Sequence, residues 1–215
     1  MNIAQIITRV REILADPGAL RFSDASLEEG IRLALQEIDH SVPQVMESVM
    51  TLETNSRNQA FPSLVKPLYI LSIRCNNGDG EVEFEPEVGF SYRMNGEQPM
   101  VHFIGPRVPG AGDTLTVVYA ACHTISGLDE ASSTSLPEGL AGALVNGAAG
   151  QACLLRVHAL HGTTGAKPGE IGQLLQIAQL RLDLFQKNLA DQKVFQEFGF
   201  PPGFRLDQWD HRERI

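Results

Sequence analysis

Helical periodicity at both ends of the chain encloses a middle with the pattern of short strands, and this order constrains the fold most. Residues 1–40 and 136–192 carry apolar side chains at helical spacing, whereas residues 42–120 are broken repeatedly by Gly and Pro. Terminal helices can pack together only if the middle loops out or forms a second lobe. The sequence therefore predicts an α+β fold: an α-helical bundle formed by the N- and C-terminal helices, with an inserted β-rich lobe and an extended C-terminal arm.

Local signals set the expected limits of the helices. The first helix should stop at Asp16-Pro17-Gly18, because proline cannot continue a helix and glycine tolerates the exit. Ser23 or Asp24 can cap the second helix, and Pro137 suits the first turn of the third. The predicted regions are a helical hairpin over 1–41, a β-rich insert over 42–135, C-terminal helices over 136–192 and a docking arm over 193–215.

Two hairpins and one strong strand are predicted in the middle. Turn residues at 76–80 and at Asn95-Gly96 each separate two apolar or alternating segments, as in β-hairpins. Leu115–Ala120 (LTVVYA) has the clearest strand composition. The predicted strands are Val45–Glu53, Leu68–Cys75, Glu81–Phe84, Phe90–Met94, Met100–Ile104 and Leu115–Ala120.

Net charge, cysteine content and the distribution of charged residues exclude several classes of protein. The net charge of −9 argues against a dedicated nucleic-acid binder, which needs clustered Lys and Arg. Three cysteines without a CxxC pair favour free thiols in a reducing compartment. Charged residues inside the first apolar stretch argue against a signal peptide, and no uncharged run of membrane-spanning length is present, so no membrane is expected.

The residues that could form catalytic or metal sites are better explained by structural roles. Alternate glutamates at 81, 83, 85 and 87 could supply the paired carboxylates of a glycosidase, but they fit a solvated strand edge better. His158 and His161 lie three apart without further ligands at zinc spacing. Cys122 and His123 are adjacent at the end of a predicted strand, where neighbouring residues point to opposite faces, so a half-buried thiol is favoured over a nucleophile–base pair. No catalytic, metal or cofactor site is predicted.

The third helix is rich in glycine without a phosphate-loop signature. Glycine within a helix costs about 1 kcal/mol relative to alanine. Such a cost suggests that Gly142 and Gly147 are kept for close helix packing, in the bundle or with an adjacent subunit.

The end of the chain combines aromatic residues and arginines with Pro201-Pro202. Two interpretations stay open: the tail folds over its own domain, or it forms an arm that docks on another subunit. Aromatic and Arg side chains are favoured interface anchors, so the arm is preferred. The anchor residues are Phe198, Phe200, Phe204, Arg205, Trp209, Arg212 and Arg214.

Three stretches together resemble the head–tail adaptor (connector) proteins of tailed bacteriophages. The first is Arg21–Leu27 (RFSDASL) with the helix that follows, although Phe22 stands where the family commonly has Trp or Tyr. The second is Gly112–Tyr119 (GDTLTVVY). The third is Leu136-Pro137-Glu138, followed by Leu140–Ala152 (LAGALVNGAAGQA) and another long helix.

The resemblance implies a structural virion protein without catalytic residues, located at the head–tail junction and made in the host cytoplasm. It implies a homo-oligomeric ring of about twelve subunits beneath the portal protein. Such a ring extends the DNA channel and offers a platform for the tail tube or nozzle protein. The net charge of −9 further suggests that DNA would pass through the lumen without specific binding. The tail matches no part of this family, and docking of its anchor residues on the portal is a separate hypothesis drawn from their composition. The alternatives are a cell-wall-degrading hydrolase with paired carboxylates and another tail-completion ring protein.

Overall fold

The computed structural model describes residues 1–65, 67–77, 80–86, 88–96, 98–161 and 168–198. Its four helices are α1 (Ile3–Ile13), α2 (Asp24–Ser41), α3 (Glu138–His161) and α4 (Pro168–Phe198). Its strands are β1 (Gln44–Thr51), β2 (Asn58–Ala60), β3 (Pro67–Asn77), β4 (Gly80–Phe84), β5 (Phe90–Asn95), β6 (Gln98–Phe103) and β7 (Thr114–Ala121). The predicted α+β class is confirmed.

The chain forms two compact units. The helical unit contains Met1–Val42 and the chain from His123 onward, and the strand unit contains Pro43–Cys122. The predicted insert of 42–135 thus ends earlier in the structure, because residues 123–135 pack with the helices. Ile125 and Leu128 are buried in the helical core, and the Ile3 N–H donates to the Ser126 carbonyl at 3.0 Å.

Helix α3 forms the centre of the helical unit and packs against α1, α2 and α4. By length and composition it could cross a membrane, yet 67% of its most apolar window is buried inside the protein. A core helix of a soluble protein has this property. The largest buried side chains around it come from α1, α2 and α4, such as Ile6, Ile31 and Phe185.

Capping residues place α1 and α2 where the sequence predicts them. The Asn2 side chain accepts the Gln5 N–H, while the Gln5 side chain accepts the Asn2 N–H, which makes a capping box. Ser23 is the N-cap of α2, and its hydroxyl accepts the Ser26 N–H. Helix α4 continues to Phe198, beyond the predicted end at Gln192, because the first helix-breaking residue after it is Gly199.

The strand unit has two antiparallel sheets. One has the order β1-β7-β3-β4 and the other β2-β6-β5. Both predicted hairpins form: Cys75 lies opposite Val82 across β3 and β4, and Tyr92 lies opposite Val101 across β5 and β6. Side chains of both sheets form one apolar core, which includes Phe61, Ile73, Phe90, Phe103, Leu115 and Tyr119.

Candidate assembly surfaces

Gly147 lies where α3 meets both α2 and α4. A Cβ placed on it would be 2.9 Å from the Cβ of Ala34 and 3.0 Å from Cδ2 of Phe185. These distances are shorter than a normal carbon–carbon contact, so no larger residue fits without movement. Gly147 therefore sets how closely the two neighbouring helices approach α3.

Gly150 and Gly30 also allow two helices to pack closely, and neither was selected from the sequence. A Cβ on Gly150 would lie 2.7 Å from Cγ of Leu182 in α4. A Cβ on Gly30, in α2, would lie 2.8 Å from the Ala148 carbonyl oxygen. The glycine-rich pattern of α3 pointed toward Gly150, whereas a lone glycine in an amphipathic helix gave no signal for Gly30.

Gly142 has a different environment. A Cβ built on it would meet no atom of the chain within 4 Å, and the residue is exposed. Within the subunit it packs against no helix of the described chain. Close packing of Gly142 against an adjacent subunit, the other possibility given for it, stays a prediction.

The turn between α1 and α2 is built around the carboxylate of Asp16, which is 3% exposed. Oδ1 accepts the N–H groups of Leu20 (2.9 Å) and Arg21 (3.1 Å), and Oδ2 accepts that of Phe22 (3.0 Å). Arg11 donates to the same Oδ2 at 3.2 Å. Burial raises the pKa of Asp16, but the backbone hydrogen bonds and the Arg11 charge outweigh it and hold this pKa below its ordinary value.

Arg11 completes this network from inside the helical unit. Its side chain is 10% exposed and also donates to the Phe22 carbonyl at 3.0 Å and to Asp24 at 2.5 Å. Sequence reasoning counted Arg11 only as a charge that disfavours a signal peptide. A basic residue in an apolar stripe, shortly before Asp-Pro-Gly, was the available signal.

His123 holds the two ends of the helical unit's chain together where the strand unit is inserted. Its backbone N–H donates to Asp39 at 2.7 Å, and its Nε2 lies 2.9 Å from the Val42 carbonyl oxygen. The ring is buried. These contacts give His123 a structural role next to Cys122, which is half-buried.

The other chemical candidates do not converge. Glu83 and Glu85 are exposed, and Glu83 lies opposite Arg74 in the sheet register. His158 and His161 are exposed near the end of α3. Among the described residues, no group of three or more His, Cys, Asp or Glu side chains could hold a metal. Burial raises the pKa of the Cys153 thiol to about 11, far from that of a nucleophile.

The predicted docking arm falls mostly outside the described residues. Phe198 is the last residue of α4, and its side chain is not described. The remaining anchor residues lie outside the described chain: Phe200, Phe204, Arg205, Trp209, Arg212 and Arg214. Their role as portal contacts stays a prediction.

One protein family matches most of the chain. The family model described as "SU10 adaptor protein" matches residues 1–194. No curated protein sequence matches the chain. The chain is similar to a component of the neck of an empty gene transfer agent particle computed with C6 symmetry, with 19% identity, a TM-score of 0.31 and coverage of 83% of this chain and 88% of that one. A component of the native gene transfer agent virion gives 20% identity, a TM-score of 0.32 and coverage of 82% and 87%.

Proposed function

The chain belongs to the SU10 adaptor protein family, and from this premise we propose that it is a head–tail adaptor that forms a ring beneath the portal of a phage-like particle. The match over residues 1–194 carries the proposal, since it includes both units. It agrees with the resemblance inferred from the sequence. An adaptor family implies a structural, non-enzymatic role.

The proposed ring has about twelve subunits, extends the DNA channel and supports the tail tube or nozzle protein. A rigid helical unit suits this role. Close contacts at Gly30, Gly147 and Gly150 and the buried Arg11–Asp16 pair fix the relative positions of the four helices. Such a unit can keep its shape when neighbouring proteins bind it.

The ring is tested by electron microscopy of the protein alone and mixed with its portal. We expect the isolated protein to be largely monomeric and to close into a ring only on the portal. A stable ring without portal would contradict that order of assembly. Failure to bind the portal in any form would contradict the adaptor function itself.

The docking arm is tested by a chain that ends at Phe198, which keeps α4 whole and removes residues 199–215. We expect an unchanged thermal melt and loss of portal binding, because six of the seven anchor residues, all except Phe198, are removed. A matched full-length variant, Phe204→Ala with Trp209→Ala, separates these anchors from the length of the arm. Full portal binding by the shortened chain would end the docking-arm idea, and a collapsed melt would support a tail packed on its own subunit.

The DNA channel is tested by a salt titration. A ring with a net charge of −9 per subunit should bind duplex DNA weakly at physiological salt, since neutralising phosphates requires clustered Lys and Arg. A submicromolar dissociation constant would contradict passage without specific binding.

A further inference from the structure

Strand β1 forms one edge of its sheet, and only the side that faces β7 is paired. Hydrogen bonding to the neighbour alternates along an antiparallel strand. The N–H of Leu52, directly after β1, donates to the Asp113 carbonyl at 2.9 Å and continues the β1–β7 register. The even-numbered residues of β1 therefore bond to β7. The backbone N–H and C=O groups of the odd-numbered residues point away from the sheet: Val45, Glu47, Val49 and Thr51.

These outward groups form a row that matches one kind of molecule. Within the described residues, no backbone group pairs with this side of β1. Donors and acceptors repeat along the edge at every second residue, or about 6.8 Å at a rise of ~3.4 Å per residue. Another polypeptide in the extended conformation presents its own backbone groups at the same repeat. This match is the way in which peptides add a strand to an exposed sheet edge.

Strand β1 also lacks the features that protect other sheet edges from pairing. Proteins protect edges by keeping outer strands short or by placing charged side chains on them. The other outer strands of the described chain have three (β2), five (β4) and six residues (β5), and β4 and β5 expose Glu83 and Arg93. Strand β1 has eight residues, and its single charged side chain, Glu47, lies 3.4 Å from Arg74. It is therefore the edge best suited to accept a further strand.

The outer face of β1 is apolar beside the same open edge. Val45 is 59% exposed and Val49 is 62% exposed. Val45 lies opposite Ala120 of β7, which in turn lies opposite the exposed Tyr69 of β3. An added strand would cover the two valines with every second side chain, so that burial of apolar area would supplement the hydrogen bonds. A long apolar edge that stays uncovered is a site of aggregation, so we expect β1 to be covered in the working protein.

We propose that β1 is a docking site for an extended segment of a partner protein, which binds as an additional strand of the β1-β7-β3-β4 sheet. Every second side chain of this segment is apolar and lies beside Val45 and Val49, and a basic residue suits the position next to Glu47. A second copy of β1 is not the proposed occupant, because that contact would be symmetric and would close as a dimer. The site goes beyond the proposed adaptor function. Its tests do not use the portal, so their failure would leave the adaptor function intact.

A synthetic strand peptide tests the row of hydrogen-bonding groups. The probe is a short acetylated and amidated peptide of alternating lysine and valine, and NMR follows amide exchange in the full-length protein. At about ten times the Kd of the peptide, exchange of the four outward amides should slow about tenfold. The even-numbered amides of β1, already bonded to β7, should change little. No binding at about 1 mM peptide, or binding without this alternating protection, would overturn the proposal.

A modified peptide separates strand addition from simple apolar contact. The same peptide with all its backbone nitrogens methylated keeps the side chains and cannot donate hydrogen bonds. It should lose binding, and equal binding would overturn strand addition. Sedimentation of the protein without peptide examines the other occupant. A dimer in which the outward amides of β1 are protected would make a second copy the occupant and overturn the proposed partner.

A pair of proline variants locates the site on β1. Val49→Pro removes an outward N–H and leaves the pairing with β7 in place, since proline is tolerated where the N–H of an edge strand faces solvent. It should weaken peptide binding about two- to tenfold, as expected for the loss of one hydrogen bond. Met94→Pro is the matched control: the Ile104 N–H donates to the Gly89 carbonyl at 2.8 Å in the β5–β6 register, so the Met94 N–H points to the open edge of β5. Equal weakening by both variants, or none by Val49→Pro, would overturn the assignment to β1.

A charge reversal keeps the proposal testable if Val49→Pro does not fold. Glu47→Lys changes only an exposed side chain, and unchanged exchange of the β7 amides would show that the sheet is intact. This variant should bind the lysine–valine peptide several-fold more weakly and should prefer a peptide in which glutamate replaces lysine. An unchanged preference between the two peptides would overturn the position proposed for the basic residue of the partner.

Discussion

The helical unit and the strand unit are stabilised by different kinds of contact. The helical unit is stabilised by contacts that fit only one side chain each. These are the buried ion pair of Arg11 and Asp16 and the close helix packing at Gly30, Gly147 and Gly150. In the strand unit, more buried and less buried residues alternate along β1, β6 and most of β7, and the Arg74–Glu47 ion pair is on the surface. The helical unit should therefore be sensitive to small changes, whereas the strand unit should depend on apolar volume.

The exposed apolar residues follow the same division. In the strand unit they include Val45 and Val49, whose side chains alternate with inward-facing residues of β1. In the helical unit the most exposed one, Leu20, lies in a turn held by buried polar contacts. The strand unit also contains a buried polar side chain, Gln59 of β2, whose Nε2 donates to the Thr54 and Ser56 carbonyls. Gln59 is neutral, whereas the buried Arg11 and Asp16 of the helical unit are charged.

Asp16→Ala should have the largest effect. It removes the acceptor of three backbone N–H groups and leaves Arg11 without its buried partner, and breaking a buried ion pair costs about 3–5 kcal/mol. Hydrogen exchange should be faster in α1 and α2 and unchanged in β3 and β7. Arg32→Ala is a suitable control, since its ion pair with Asp129 at 2.9 Å is on the surface and should contribute about 0–1 kcal/mol. Equal acceleration in both units would remove the distinction between them.

Gly147→Leu should rank second. Overpacking a close contact costs about 1–3 kcal/mol, and here the added atoms meet Ala34 and Phe185. Gly142→Leu is the control inside the same helix: it should leave the thermal melt unchanged or raise it slightly, because the space around Gly142 is open and leucine favours a helix more than glycine does. If Gly142 faces a neighbouring subunit, its variant should reduce ring assembly while folding normally. A melt that is unchanged by Gly147→Leu would contradict the packing argument.

Low pH should destabilise the helical unit more than the strand unit, because Asp16 loses its charge. This loss of stability should be smaller than that caused by Asp16→Ala. The pKa of Asp16 in the folded protein lies below its ordinary value of 3.8. The charged form is therefore favoured by folding, so its contribution is complete above that value and is lost as pH falls through the folded pKa. Denaturant unfolding between pH 6 and about pH 2 measures the loss. Asp16→Asn cannot ionise and should show a flatter profile, and an identical pH dependence in both proteins would contradict this assignment.

Local signals were enough to predict most elements and not enough to predict their contacts. Helix stops, caps and hairpin turns depend on neighbours in sequence, which is why α1, α2 and both hairpins were predicted correctly. Strand β2 was missed because Asn58–Ala60 is too short to show alternation. The Arg11–Asp16 network and the role of Gly30 were missed because their partners are brought near only by the fold.

The two glycines chosen from the sequence show where such reasoning stops. Gly142 and Gly147 are five residues apart, about 140° around a helix, so they cannot both face one neighbouring helix. The sequence shows this spacing, but only the positions of α2 and α4 in the fold decide which of the two glycines packs against a neighbouring helix. The same limit applies to Leu20, whose exposure is a property of the folded turn and has no sequence signature.

Val49→Thr should have the smallest effect and tests the strand unit directly. Val49 lies on the outer face of β1, is 62% exposed and faces Thr116 of β7. Threonine keeps the branched shape that strands favour, and its hydroxyl remains in water, so the change should be within about 0.5 kcal/mol. Val117→Thr makes the same chemical change one strand away at a site that is 1% exposed, where an unpartnered hydroxyl should cost about 1–3 kcal/mol.

Denaturant melts of the Val49→Thr and Val117→Thr variants compare the outer and inner faces of one sheet. If both changes were equally mild, the core of the strand unit would tolerate polarity, and volume and alternation would not be what stabilises it. If Val49→Thr were the more harmful, the outer face of β1 would have to be covered in the folded protein, and the distinction between the two faces of this sheet would be lost.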